Sequence, residues 1–249
     1  MVIKKRMLLW DYTNTNSFPQ QLDQVPLDND HPTSSVSNWN AWVPPELKGR
    51  APFRPMIHLV EETQGEKWQW ILNSDQPLVL YFNEPERNGI SPQQAANIWH
   101  SQVLDLRRRG KQLCSPCPAW TDEGRSWLEQ FMALVADSPP PPDYLGLHAY
   151  NTDAGATMRY LEGMHQRYGL PIIVHEIASV SRNYGEVLAF TVKMANWMDS
   201  KDFIYEYAFF GCMGHVADGF VSPEAQLMNP DGSFKDLMYK LMHDQPMHV

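Results

Sequence analysis

The stretch Pro77-Leu78-Val79-Leu80-Tyr81-Phe82-Asn83-Glu84-Pro85 carries most of the information about the fold. The unbroken apolar run from Leu78 to Phe82 is the pattern of a strand covered on both faces, as in a parallel sheet, rather than of an alternating half-buried strand. Pro85 cannot extend a hydrogen-bonded ladder and stops it. A carboxylate at the mouth of a buried strand is costly to desolvate unless it is paired or used. A second apolar run, Leu170-Pro171-Ile172-Ile173-Val174, delivers Glu176 in the same way. Two glutamates, each ending its own buried strand, point to paired-carboxylate hydrolysis of a sugar bond.

Working outward from these two runs, strand-like segments recur at Arg6 to Tyr12, Val36 to Trp42, Arg54 to Val60, Leu78 to Asn83, Lys111 to Ser115, Tyr144 to Ala149, Ile172 to Ile177 and Phe203 to Phe210. Helical patterns lie between the later ones. Ser91-Pro92 is an N-cap with proline at the first helical position, opening a helix that runs on to Arg109 before Gly110. Further helices are expected over Ser126 to Val135, Asp153 to Tyr168, Tyr184 to Met198 and Phe234 to Met242. Strands alternating with helices build right-handed βαβ units. Eight of them in about 250 residues is the arithmetic of a closed (β/α)8 TIM barrel, expected here as a single domain over residues 1–249. The first crossovers, residues 13–35 and 43–53, are rich in Pro, Asn, Asp and Ser and read as irregular. An open doubly wound sheet competes, but no glycine-rich phosphate loop follows any strand. The proline run Pro139 to Pro142 reads as a stiff surface connector.

Composition narrows the function classes. A net charge of −9 disfavours nucleic acid and anionic membrane surfaces, which need basic patches. No apolar run approaches the roughly 20 residues needed to span a bilayer. Met7-Leu8-Leu9-Trp10 is too short for a secretory apolar region and runs into Asp11, so the sequence shows no signal peptide. Cys114-Ser115-Pro116-Cys117 has redox-motif spacing but sits at a strand end, and ordinary semi-buried cysteines are the simpler reading.

Active sites of such barrels gather at the C-terminal ends of the strands. Those ends present Asp11, Tyr12, Asn40, Trp42, His58, Asn83, Glu84, Ser115, His148, Tyr150, Glu176 and Phe210. Strands four and seven are three steps apart in an eight-membered ring, so Glu84 and Glu176 can face each other across the mouth. Of the nine tryptophans, Trp99, Trp127 and Trp197 fall on helix faces and read as core. Trp10, Trp39, Trp42 and Trp120 fall at strand ends or rim loops, where an indole either stacks on a sugar or simply packs. A metal-dependent hydrolase is a rival reading, because His58, His148 and His175 are also near strand ends. Strand alternation turns His175 toward the helices if Glu176 points inward, and no His-x-His or His-Glu-x-x-His pair is present. No metal and no cofactor are expected.

Tyr81-Phe82-Asn83-Glu84-Pro85-Glu86, with Ser91-Pro92-Gln93-Gln94-Ala95-Ala96 after it, resembles the acid/base segment of glycoside hydrolase family 128, the fungal Asl1-like β-1,3-glucanases. Leu145 to Tyr150, Tyr160 to Gly169 and Pro171 to Ala178 resemble that family's sixth strand, sixth helix and nucleophile strand. Tyr207 to Gly211 and Leu227 to Phe234 resemble its closing strand and the turn after it. The resemblance implies a retaining mechanism on β-1,3-glucan and laminari-oligosaccharides, with Glu84 as acid/base and Glu176 as nucleophile. It implies that Glu84 keeps a raised pKa, that Asn83 bonds a sugar hydroxyl, that Tyr150 donates to Glu176, and that His148 lines the floor beneath the reacting sugar. Trp42, Trp39, Trp120 and Trp10 would contribute to sugar binding. The aromatic lining departs from the family pattern at His58, Ala149, Ile177, Phe209 and Asn40-Ala41-Trp42. A non-catalytic or weakly catalytic glucan-binding protein on the same barrel is therefore the competing function. A glucan role suits a protein that is secreted or held in a fungal cell wall, with an intracellular location as the alternative, and a monomer is expected.

Overall fold

The structure, a computed structural model, describes residues 1–136, 141–216 and 219–249. Pro139 and Pro140 of the expected connector lie outside the described residues. Among the described residues eight strands form in chain order: β1 Arg6–Leu9, β2 Thr33–Ser37, β3 Met56–Ile57, β4 Leu78–Asn83, β5 Gln112–Cys117, β6 Leu145–Asn151, β7 Ile172–Ser179 and β8 Ile204–Phe209. All pairings between them are parallel. One sheet runs β2-β1-β8-β7-β6 and the other β3-β4-β5. Parallel bridges from Val36 to Phe53 and from Cys114 to Tyr144 join the two sheets into a ring. The chain is a (β/α)8 barrel.

The helices are α1 Tyr12–Ser17, α2 Gly65–Asn73, α3 Pro92–Ser101, α4 Asp122–Ala136, α5 Ala154–Tyr168, α6 Tyr184–Ser200 and α7 Asp236–His243. The first crossovers are irregular, as the sequence suggests: α1 has six residues, and 3-10 turns at Pro19–Gln24 and Pro45–Leu47 complete them. The capping chemistry read from the later segments is in place. Ser91 accepts from the Gln94 N–H, Asp153 from Ala156 and Asn183 from Glu186. The helix expected to continue to Arg109 instead breaks at Gln102 and proceeds as a 3-10 turn, Val103–Arg109. Val103 and Leu106 are its buried residues, and the three-residue spacing puts both on one face of the turn.

Two early strands depart from their expected ranges, β2 lying earlier in the chain and β3 being shorter. β2 ends at Ser37 because the Asn38 side chain accepts from the Asn40 N–H and Trp39 takes a left-handed backbone, φ 58°. β3 is limited to Met56–Ile57, after Pro55, which has no N–H to donate.

Strand alternation sorts the core into two compartments. Met7, Leu9, Met56, Leu78, Leu80, Cys114, Cys117 and Ile173 form the interior of the ring. Leu8, Trp10, Val79, Tyr81, Leu113, Ile172 and Val174 pack outward under the helices. The interior also holds a bidentate ion pair, Arg54 to Glu206, with both contacts at 2.8 Å.

Candidate active site

β4 and β7 bring the two glutamates together. A carboxylate oxygen of Glu84 and one of Glu176 lie within 4.8 Å of each other, and a His148 ring nitrogen lies within that distance of both. The site opens into a cavity of about 580 Å³ whose walls include Asp11, Tyr12, Trp39, Trp42, His58, Asn83, Arg87, Trp120, Tyr150, Phe210 and Phe220.

Glu84 sits where the chain leaves β4. Its N–H is bonded to the Cys117 carbonyl at 2.8 Å and its own backbone is left-handed, φ 38°. That conformation is sparsely populated for non-glycine residues, and the flanking hydrogen bonds hold it. Its Oε1 meets His148 Nδ1 at 3.1 Å, and its Oε2 meets Arg87 Nη1 at 3.3 Å. Glu176 is held from two sides: Trp39 Nε1 donates to Oε1 at 2.8 Å, and the Tyr150 hydroxyl donates to Oε2 at 2.7 Å. His148 Nδ1 lies 3.5 Å from that same Oε2, so one imidazole spans the pair.

The electrostatics differ from the simple expectation of a raised Glu84. Burial does push its carboxyl up, but the hydrogen bond and charge of His148, then Arg87 and His58, outweigh it and hold Glu84 below the usual carboxylate range. Burial opposes charging of His148, yet the Glu176 carboxylate, Cys117 and Glu84 overcome this and raise its pKa well above the ordinary histidine value. The imidazole that favours its charged form thus stands between the two acids, where its charge offsets their mutual repulsion. His175 is the opposite case: burial, then His148 and His58, push it far down and keep it neutral.

Asn83 lines the cavity, and its buried Oδ1 has no partner among the described residues. Trp42 and Trp120 also line it, with Trp120 edge-on to Tyr160 at 4.4 Å. Trp39 reaches the site, but with its indole N–H on Glu176 rather than as an open platform. Tyr150 bonds Glu176 as expected.

Three expectations are corrected. Trp10 is fully buried, belongs to the outer core and donates to Glu46 Oε1 at 2.6 Å; since Leu9 faces the interior, alternation turns Trp10 away from it. His148 is fully buried beneath the carboxylates and supports them rather than lining the floor. His175 does not face the helices: Ser37 Oγ lies 3.3 Å from its Nε2, and its ring stacks on His148 at 5.9 Å inside the barrel. The pairing between β6 and β7 slips between Leu147 and His148, where a bulge suspends alternation, so consecutive residues His175 and Glu176 both turn inward.

Residues not anticipated are Arg87, Asn38, Met213, Val216, Phe220 and Val221. Arg87 had a local signal, three positions beyond Glu84. The others come from loops after β2 and β8 that have no periodicity to read.

Residues 13–240 match the family described as glycosyl hydrolase catalytic core. A solved subgroup VI exo-β-1,3-glucanase of glycoside hydrolase family 128 from Aureobasidium namibiae is 54% identical, with 100% of each chain covered and a TM-score of 0.97. A subgroup V exo-β-1,3-glucanase from Cryptococcus neoformans is 25% identical over 96% of this chain and 100% of its own, with a TM-score of 0.77. Alkali-sensitive linkage protein 1 of Schizosaccharomyces pombe is 24% identical over 164 residues, which is 62% of this chain but only 30% of that protein. Family match, shared barrel and whole-length similarity agree: the chain belongs to the glycosyl hydrolase catalytic core family and, within it, to glycoside hydrolase family 128.

Proposed function

We propose that this chain is a retaining exo-β-1,3-glucanase in which Glu176 is the nucleophile and Glu84 the general acid/base. The observation that carries the mechanism is the gap between the two carboxylates, within 4.8 Å. Retaining enzymes hold them about 5–5.5 Å apart, whereas inverting ones need roughly 6.5–9.5 Å to admit a water between acid and sugar. The substrate and exo action follow from the 54% and 25% identical relatives, both exo-β-1,3-glucanases.

In the first step Glu176 attacks the anomeric carbon and the glycosidic oxygen takes a proton from Glu84. In the second, Glu84 removes a proton from water, which displaces Glu176. Trp39 and Tyr150 fix both oxygens of the nucleophile, which limits the reorientation needed on approach to the sugar. Asn83 Oδ1 is available for the hydroxyl next to the reacting carbon. The proton that Glu84 must deliver is held on His148, 3.1 Å away. Glu176 is the largest contributor to keeping His148 charged. As Glu176 spends its charge in forming the covalent ester, the imidazolium loses that support and its proton moves toward Glu84 when the leaving oxygen needs it. The low resting pKa of Glu84 is thus compatible with an acid role. A β-glucan substrate suits an enzyme that is secreted or acts at a cell wall.

Hydrolysis of reduced laminari-oligosaccharides, followed by NMR of the first-formed anomer, tests this reading. The β-anomer of glucose or a short oligosaccharide, released stepwise from the chain end, is expected. Glu84→Gln and Glu176→Gln should abolish turnover and retain ligand. First-formed α-anomer, or wild-type rates in both variants, would refute it. Saturable binding without release of any sugar would favour the binding-protein reading.

A further inference from the structure

The turn after β2 that holds Glu176 is itself tied down from the end of β3. Trp39 has a left-handed backbone, φ 58°, which residues with a Cβ seldom adopt unless their surroundings impose it. Hydrogen bonds fix the residues on either side. Asn38 Oδ1 accepts from the Asn40 N–H at 3.0 Å, and the Asn40 carbonyl accepts from the Met56 N–H at 2.9 Å. The Trp39 carbonyl meets Nδ1 of His58 at 3.0 Å. A carbonyl can only accept, so Nδ1 carries the hydrogen. At the other end of the same residue, the indole N–H donates to Glu176 Oε1 at 2.8 Å. His58 is fixed in turn through its backbone. Its N–H donates to Oε2 of buried Glu62 at 2.6 Å, and Glu62 Oε1 accepts from Lys67 Nζ at 2.6 Å. Contacts thus run unbroken from α2 through Glu62, His58 and Trp39 to the Glu176 carboxylate.

We propose that His58 is a positioning residue for Glu176: its Nδ1–H pins the Trp39 carbonyl and so keeps the indole N–H on the carboxylate. Trp39 stands at Oε1, whereas Tyr150 and His148 both stand at Oε2. Placement of Oε1 therefore depends on one side chain. Freed of the His58 contact, Trp39 relaxes toward an extended backbone and draws the indole away. The carboxylate must then be oriented during the reaction instead of before it. The atom that matters is Nδ1. Asparagine carries its amide nitrogen on the same Cγ as histidine Nδ1, whereas the amide nitrogen of glutamine falls nearer to histidine Nε2. His58 also lines the cavity, but a direct contact from its ring to a sugar would not follow that division. The catalytic half of the proposal rests on the hydrolase reading above; the placement of the indole does not.

The test compares His58→Asn, His58→Gln and His58→Ala in the full chain. Hydrolysis of a laminari-oligosaccharide is expected to keep most of its kcat in His58→Asn. In the other two variants kcat should fall about tenfold to a hundredfold, the scale of a lost hydrogen bond to a charged group, with KM little changed. The Trp39 indole 1H–15N cross-peak, identified by its loss in Trp39→Phe, reads the placement without turnover. It should lie downfield in wild type and His58→Asn, and move upfield in His58→Gln, His58→Ala and Glu176→Gln. In wild type, histidine ring spectra should show His58 protonated at Nδ1, a readout that needs no variant to fold. A neutral His58 with its hydrogen on Nε2, or an indole peak unmoved in His58→Gln and His58→Ala, would overturn the positioning contact. A moved indole with unchanged kcat, equal losses of kcat in His58→Asn and His58→Gln, or a change in KM alone would overturn the catalytic half. If the chain proves not to hydrolyse glucan at all, the indole and ring-nitrogen readouts still decide whether His58 holds Trp39.

Discussion

Replacing Arg87 by glutamine should move the basic limb of the kcat/KM profile to higher pH. That limb reports loss of the catalytic proton from the free enzyme, which the Glu84–His148 pair holds on the imidazole. Glu84 is held low by His148 first and then by Arg87, whose Nη1 stands 3.3 Å from Oε2. At about that distance two unit charges in water attract by roughly 1 kcal/mol. The Arg87 side chain is 48% exposed, so solvent screening discounts this to the range of surface pairs, about 0.2–1 kcal/mol. At about 1.36 kcal/mol per unit, the limb should rise by roughly 0.1–0.7 pH units. The sign is fixed: removing a positive charge beside the Glu84–His148 pair makes its shared proton harder to lose, so the pair stays protonated to higher pH. Salt should do part of the same in the wild type, and little in the variant. The assay is initial-rate hydrolysis of a laminari-oligosaccharide well below KM across the pH range, at low and high ionic strength. A limb that moves down, or one that is unmoved while salt still shifts the wild type, would refute either the acid role of Glu84 or its coupling to Arg87.

Three further outcomes follow from the geometry. Tyr150→Phe removes the 2.7 Å donor to Glu176 Oε2 and leaves that oxygen unheld; a hydrogen bond to a charged group contributes about 1.5–3 kcal/mol, so kcat should fall roughly tenfold to a hundredfold with Tm little changed. Arg54→Ala leaves the Glu206 carboxylate buried and unpaired in the ring, which should cost about 3–5 kcal/mol by urea denaturation, and the double variant Arg54→Met/Glu206→Met should recover most of it. His148, raised in the folded chain, contributes stability that is fully present below its unfolded value of about 6.5 and is lost as pH rises through its higher folded value. Calorimetric Tm should therefore decline from neutral to alkaline pH more steeply in wild type than in His148→Gln.

The strand ends show what was legible. Continuous apolar runs set by burial on both faces located β4 within its observed bounds, and the proline after Glu84 marked where the carboxylate emerges. Helix starts were equally readable, because Ser91, Asp153 and Asn183 satisfy the first-turn N–H groups through contacts only a few residues apart. These are local interactions, and local sequence specifies them. β2 lies several residues earlier than its sequence pattern suggests, since its end depends on Asn38 and Trp39 turning the chain, and Trp39 is held by Glu176 of β7.

The sequence by itself therefore determined the alternation of strands and helices, the closing arithmetic of the barrel and the two glutamates that emerge from β4 and β7. Tertiary structure decided which way the neighbouring side chains point. Alternation buried Trp10 under the helices, while the slipped pairing of β6 with β7 turned His175 inward beside Glu176. It also decided that one imidazole lies between the two acids and sets their charge. Register and bulges arise from the fit of two strands to each other, and no single strand's sequence contains that fit.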